Sequence, residues 1–600
     1  MNNIDQRLQL LREEMRREHL SAFIFPSADA HGSEYTPDHW KGREWVSGFN
    51  GSAGTAVVTL SGAALWTDSR YFLAAEDQLR GTEYQLMRLK MDGTPTVAEW
   101  LGGQLSADDR REVGIDGFCI SRNEARLLEE ELHWQGGITL RTNLDILSRV
   151  WADRPALPTA PISLHPLQYA GEASADKLSR LRQQLRLCHA DGMMVSALDD
   201  IAWLLNLRGT DVHCTPVFVA YLLVESDKAT LFTKPEKVSP EVSAYLHGLN
   251  VRVEDYGAAA AAFDDYGEYN LLLDSDETSI ALYRRAAQAR PQGRELHIVD
   301  GASPLPAMKV MKNEVEQQGY RRAMERDGVA MVRFLMWLES AEGPITELDV
   351  DRKLTSLRAE QDLFRDISFD TIAAYGPHAA VVHYEPTPAT DIPLQRKGFL
   401  LLDSGAQYLD ATTDITRTIP LGPLTDEERR VYTLVLKGHL RLQNLRFPDG
   451  ASGTQLDAVA REALWREGLN FLHGTGHGVG SYLSVHEGQH QVRMEWKPAP
   501  LRAGMTLTDE PGIYLAGRFG VRVENTLLIR LWRETELGRF LEFEPLTLCP
   551  IDRRPIVCEL LSDDERRWLD DYHALVLRRL SPLLRPDERQ WLAEACRPLE

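Results

Sequence analysis

The chain has 600 residues, 43% hydrophobic and 26% charged, which are ordinary values for a globular protein and wrong for a mainly disordered one. At about 150 residues per domain, that length suggests about four units. The formal net charge of −22 repels phosphate backbones and argues against sequence-independent nucleic-acid binding, leaving room only for a local basic pocket.

In the first 25 residues, acids and arginines run through Glu18, so no signal peptide is expected; Leu8, Leu11 and Met15 mark an amphipathic helix instead. SAFIFPSAD and GTAVVTLSGAALWTDSRYF read as strands, and 97–105 and 122–134 have helical spacing, so the first 150 residues read as mixed α/β. Residues 152–171 hold Pro155, Pro158, Pro161 and Pro166 and form the best linker candidate, because proline propagates neither a helix nor a central strand. A second α/β pattern opens with an amphipathic helix over 175–190. Its order of helix, short apolar strand and hairpin echoes residues 5–75, a faint internal duplication. A long helix is predicted from 312 to 341 and a second from 346. Strand-rich segments follow over 366–420 and 471–545. Between them lie two helices, one opened by a capping box at Thr425 and Glu428, the other over 456–468; a helical tail begins near 562. The six cysteines are scattered without a CxxC pair, which excludes a disulfide framework and a zinc ribbon; reduced cytosolic thiols are expected. No apolar run approaches the 18 or so residues that span a bilayer, so the expectation is a soluble cytoplasmic protein.

Four segments could carry chemistry. In FLLLDSGAQYLDATTDITRT an apolar strand delivers Asp403, and a Thr-rich strand then carries Asp414. Paired carboxylates repel, so one holds a proton or both bind a cation. Asp410 competes, but reads better as a turn aspartate. FLHGTGHGVGSYLSVHEG holds His473, His477 and His486 among glycines that disfavour a helix and suit a backbone close to a bound group. MTLTDEPGIYL offers Asp509 and Glu510 on opposite faces of a strand, so that only one faces a common site. GVRVENTLLI sets Arg522 and Glu524 on one face, and a glutamate within an apolar strand is costly unless paired or metal-bound. Oxygen-rich ligation with one imidazole suits Mn²⁺, Co²⁺ or Zn²⁺, and four carboxylates exceed the need of one ion but fit two.

The order Asp403, Asp414, His477, Glu510, Glu524 resembles the five-ligand set of the pita-bread metallopeptidases, which include methionine aminopeptidase, prolidase and Xaa-Pro aminopeptidase. DSGAQY, TTDITRT, HGTGHGVG, HEG, TDEPG and VRVEN are similar to the Xaa-Pro aminopeptidase forms. HGSEY, SGFNGSAGTAVVT, WTDSRYF, DDIAWLLNLRG and FEPLTLCPID extend the likeness over nearly the whole of the long, three-domain cytosolic type. The resemblance implies an α/β (α+β) fold: two related creatinase-like domains over 1–155 and 156–311, then a pita-bread catalytic domain over 312–600 with a C-terminal helical extension from 543. It implies that Asp403 chelates one divalent ion, that His477 and Glu510 hold the other, and that Asp414 and Glu524 bridge them. His383 and His486 match histidines that contact the substrate and the tetrahedral intermediate. His473 matches one on the proline side, Arg70 a peptide-contacting arginine, and Arg522 an arginine beside the bridging glutamate. The implied enzyme cleaves the bond before a second-position proline with a hydroxide activated by two ions, Mn²⁺ first among them, while Glu510 shuttles a proton. A homodimer without nucleic-acid or membrane partners is implied too. The alternatives are a prolidase that accepts only dipeptides and a pita-bread binding protein without catalysis, though relatives of the latter kind lack the ligands present here. Methionine aminopeptidase needs no such N-terminal portion.

Overall fold

The computed structural model describes residues 3–106 and 110–599 and divides into two compact units, residues 1–165 with 172–305, and 166–171 with 306–600. The leading helix Asn3–Arg17 buries Leu8, Leu11 and Met15, as their spacing predicts.

The first unit holds two six-stranded sheets. One runs in the order Tyr84–Arg88, Ala63–Thr67, Thr55–Thr59, Ala22–Phe25, Glu112–Ile115, Thr139–Arg141. The other runs Val251–Glu254, Ala229–Phe232, Tyr221–Val224, Gly192–Val195, Asn270–Leu273, His297–Asp300. In each, the strand after the leading helix pairs antiparallel with the next, that one pairs antiparallel with a third, and the outer partners are parallel. An identical order with identical directions is a duplication of fold, and it turns the faint sequence echo into a topological one. The proline-rich stretch is not featureless: Ser163–Leu164 pairs with Leu207–Arg208.

The second unit begins with the helix Glu314–Ser340. Its N-cap Asn313 forms a capping box with Glu316, and Asn313 Nδ2 donates to the carbonyl of Ala170 at 2.8 Å. After a second helix, Glu347–Ala359, comes the antiparallel sheet Ile372–Tyr375, Phe399–Ser404, Ile415–Pro420. A second sheet runs Arg446–Pro448, Gly538–Pro545, Asn525–Thr535, Thr506–Asp509, and Gly512–Leu515 forms a hairpin with Phe519–Arg522. The helix Asp426–Gln443 starts at the expected Thr425–Glu428 box. It packs Val435, Leu436 and Leu440 into a core with Phe399, Val521 and Val523, to which the helix Asp563–Leu580 adds Tyr572 and Val576. Burial of such apolar side chains is the main force holding both sheets and helices together. The six cysteines are free thiols.

Candidate active site

Pairing of Phe399–Ser404 with Ile415–Pro420 sets Asp403 opposite Thr416. Asp414 stands just outside the second strand, in the break after Ala411–Thr412, rather than within a strand as its alternation suggested. Glu510 follows the strand Thr506–Asp509, and Glu524 fills the break between Phe519–Arg522 and Asn525–Thr535. These breaks release backbone groups from the sheet ladder, and neighbouring strands take them up: Glu510 N donates to Thr475 O at 2.8 Å and Glu524 N to Thr416 O at 3.1 Å.

The side chains converge. His477 Nε2 lies 3.4 Å from Asp414 Oδ2 and 3.5 Å from Glu510 Oε1. Asp414, His477 and Glu524 offer donor atoms all within 4.8 Å of one another. Thr416 Oγ1 donates to Glu524 Oε2 at 2.7 Å. Arg522 Nη2 donates to Asp403 Oδ2 at 2.6 Å, and Arg522 Nη1 to the Tyr514 hydroxyl at 2.7 Å. Asp509 takes the opposite face from Glu510 and stands 3.1 Å from His439 Nδ1. Thus Glu510, not Asp509, turns to the cluster. Asp410 is elsewhere: it lies in the turn its sequence suggests and is buried there against Arg326 and Arg322.

The histidines gather unequally. His486 stands edge-on to His477, ring centroids 4.3 Å apart. His473 Nε2 meets the Tyr514 hydroxyl at 2.8 Å, and its Nδ1 lies 4.0 Å from Glu510 Oε2. His383 is half-buried next to Val382, whose carbonyl lies 3.4 Å from Arg522 Nη1. Arg70 belongs to the first unit, where it grips Asp68 at 2.8 Å and stands 3.6 Å from Glu34. Thr416 and Tyr514 escaped the sequence reading. Nothing local marks their partners, which lie on other strands.

Three observations test whether the residues suit a cation. Asp403 Oδ1 is buried without a partner. His477 Nδ1 is 2.8 Å from the Gly478 carbonyl, which keeps a proton on Nδ1 and turns Nε2 to the carboxylates, where its lone pair is available once the ring is neutral. Crowding also disfavours charge on the acids. Burial, reinforced by Asp414 and Asp403, pushes Glu510 up to about 7 against His477 and Arg522, and burial plus Asp414, Asp403 and Glu510 lifts Glu524 well above the usual range. Burial works against a charged His477, yet Asp414 and Glu510 outweigh it and push it up to about 9. A set of acids that cannot all ionise unaided, with one imidazole turned among them, fits divalent cations.

Gly476 shows how little room the backbone has. A Cβ there would lie 1.9 Å from the Thr508 carbonyl oxygen. Gly476→Ala is expected to cost about 1–3 kcal/mol of stability by overpacking and to displace His477. A folded variant with parental activity and melting temperature would contradict this.

Residues 318–530 match metallopeptidase family M24 and 539–599 its C-terminal region, while 7–140 and 153–316 each match a creatinase/prolidase N-terminal domain. The chain is 40% identical, over 100% of its length and 93% of the relative's, to a Neosartorya fischeri protein named "Probable Xaa-Pro aminopeptidase P". The chain belongs to metallopeptidase family M24. Another relative, from Aspergillus niger and of the same name, is 39% identical with both chains covered in full. A solved structure, the X-prolyl aminopeptidase of Caenorhabditis elegans, superposes with a TM-score of 0.94 at 33% identity over 100% of both chains; it is described as a cytosolic enzyme with a di-nuclear active site. The expected fold, two creatinase-type N-terminal domains and a pita-bread M24 domain, is the one found.

Proposed function

We propose that this M24 chain is a metal-dependent exopeptidase that releases the N-terminal residue from peptides with proline in second place. The observation that carries the reading is the gathering of Asp403, Asp414, His477, Glu510 and Glu524 into one cluster. Its full-length likeness to Xaa-Pro aminopeptidases names the substrate. Asp403 would hold one divalent cation, His477 and Glu510 the other, with Asp414 and Glu524 between them. Two such cations supply water activation near neutral pH and positive charge for a developing oxyanion.

The chain's own groups do the rest. A bond before proline is a tertiary amide without N–H, so the proline nitrogen must receive a proton before it leaves. Glu510, beside His477 in the cluster, is the proposed carrier of that proton. His383 and His486 contact substrate and steady the oxyanion. His473, held by Tyr514, lines the proline side. Arg522 orients Asp403. Arg70 contacts the peptide by resemblance alone. Mn²⁺ is the proposed metal; the same donors accept Zn²⁺ and Co²⁺. A cytoplasmic homodimer completes the reading, in keeping with the C. elegans enzyme's description as cytosolic and with described helices of which none is long and apolar enough to cross a membrane.

The test strips the protein of metal, restores one cation at a time, and assays Arg-Pro-Pro beside Arg-Pro. Cleavage of the tripeptide after Mn²⁺ return is expected. Activity on Arg-Pro alone would make the chain a dipeptidase. Failure to take up Mn²⁺ at pH 7.5 would remove the enzyme reading.

A further inference from the structure

Behind the carboxylate cluster lies a second polar network. Asp509 and Asn525 are partners across the antiparallel pair Thr506–Asp509 and Asn525–Thr535, and each is the chain neighbour of a candidate cation ligand, Glu510 and Glu524. Side chains alternate along strands, so these two face the helix Asp426–Gln443. There His439 meets both: Nδ1 is 3.2 Å from the Asp509 carbonyl oxygen and Nε2 is 3.3 Å from Asn525 Nδ2. Asn525 Oδ1 accepts from Arg417 Nη2 at 2.8 Å, which fixes the amide and turns Nδ2 to Gln443 Oε1, 2.7 Å away, and to His439. His439 Nε2 therefore accepts, and its Nδ1–H is left to hold Asp509.

Arg417 closes the network on Glu524 itself. Its Nη1 donates to the Glu524 carbonyl at 2.6 Å and to the Thr416 carbonyl at 2.9 Å. Its Nη2 donates to the Tyr572 hydroxyl at 2.9 Å. Tyr572 arrives from the helix Asp563–Leu580, and its hydroxyl also lies 3.0 Å from the carbonyls of Thr547 and Cys549. His439, Asn525, Arg417 and Tyr572 are all buried. The backbone under both glutamates is thus strapped from the face away from the cluster.

We propose that Arg417, Asn525, His439 and Tyr572 are positioning residues, through which the helix Asp563–Leu580 sets how tightly Glu510 and Glu524 hold the cations. The proposal rests on the reading of those glutamates as ligands. Groups that orient metal ligands change affinity about 10–100-fold when removed.

The experiment titrates the metal-free full chain with Mn²⁺ by calorimetry, comparing the parent, Tyr572→Phe, Asn525→Ala and Tyr432→Phe. Tyr432 is a control in the same core, its hydroxyl bonded to the Asp552 carbonyl at 2.8 Å. Tyr572→Phe and Asn525→Ala are expected to bind Mn²⁺ about tenfold more weakly. In both, kcat for Arg-Pro-Pro should fall while KM stays within about twofold, the split expected when binding of substrate is untouched. Tyr432→Phe keeps parental affinity, and Tyr572→Phe melts with it when metal-free. Parental affinity in both Tyr572→Phe and Asn525→Ala overturns the proposal, as does an equal loss in Tyr432→Phe. A parent that takes up no Mn²⁺ overturns the ligand reading as well.

Discussion

Asp414→Asn and Glu510→Ala are expected to lower turnover of Arg-Pro-Pro at least about a thousandfold, which is about 4 kcal/mol of barrier. Asp414→Asn is the sharper variant, because it keeps the shape and deletes the charge. The Asp414 backbone stays anchored, its carbonyl accepting from Thr526 Oγ1 at 3.0 Å. The fold should tolerate the change. Asp403, Glu510 and Glu524 all carry Asp414 among the causes that raise them, so one fewer carboxylate relieves repulsion in the metal-free protein. His477 loses a carboxylate partner in exchange, so the metal-free melting temperature should stay near the parent's while metal content and turnover collapse. Glu510→Ala removes both a donor to the cation pair and the proposed proton carrier. Retention of turnover with full metal content in either variant would refute the assigned roles.

Arg461→Ala should cost about 3–5 kcal/mol, the usual penalty for leaving one member of a buried ion pair alone. Arg461 rises from the helix Gly453–Trp465 and is 1% exposed. Its Nε donates to Asp457 Oδ2 at 2.6 Å, Nη1 reaches the Phe471 carbonyl, and Nη2 donates to the His473 carbonyl at 2.9 Å. The guanidinium also lies 3.7 Å over the Phe471 ring. Asp457 in turn accepts from Thr475 Oγ1 at 2.6 Å, and the Thr475 carbonyl holds Glu510 N. Truncation strands Asp457 and frees the segment that carries His473 and His477. Thermal melting should shift down by roughly 6–20 °C, at about 2–4 °C per kcal/mol for a unit of this size. The double variant Arg461→Met/Asp457→Leu is expected to regain stability without activity, since the apolar pair repacks but the Phe471 and His473 carbonyls lose their donor. A single variant within about 1 kcal/mol of the parent would contradict the tether, because surface-like changes rarely exceed that.

Local signals were legible and distant ones were not. Thr425 and Glu428 announce a helix start because both partners lie within one turn. Leu8, Leu11 and Met15 announce a buried face for the same reason. The motifs around Asp403 and His477 state residue type and spacing, and the structure gathers what they name. Asp509 and Glu510 show the limit: alternation separates their faces but cannot say which face is the site until His439 claims Asp509. Asp410 has the sequence look of a turn residue, and only the Arg326 and Arg322 side chains of a distant helix turn it into a buried ion-pair centre. Arg417, Asn525 and Tyr572 carried no signal, because a bond between positions 417 and 572 has no local period to betray it.

That last separation also sets an order in time. Arg417 waits for Tyr572 across 155 residues of chain. On a ribosome adding about 5–20 residues per second, roughly 8 to 30 s pass between the emergence of one and of the other. The duplicated sheets of the first unit are closed by residue 305 and complete well before. The catalytic half must therefore stand with its rear strap open until nearly the last helix is made, so a nascent chain truncated before 563 carries every candidate ligand yet lacks the piece that sets them.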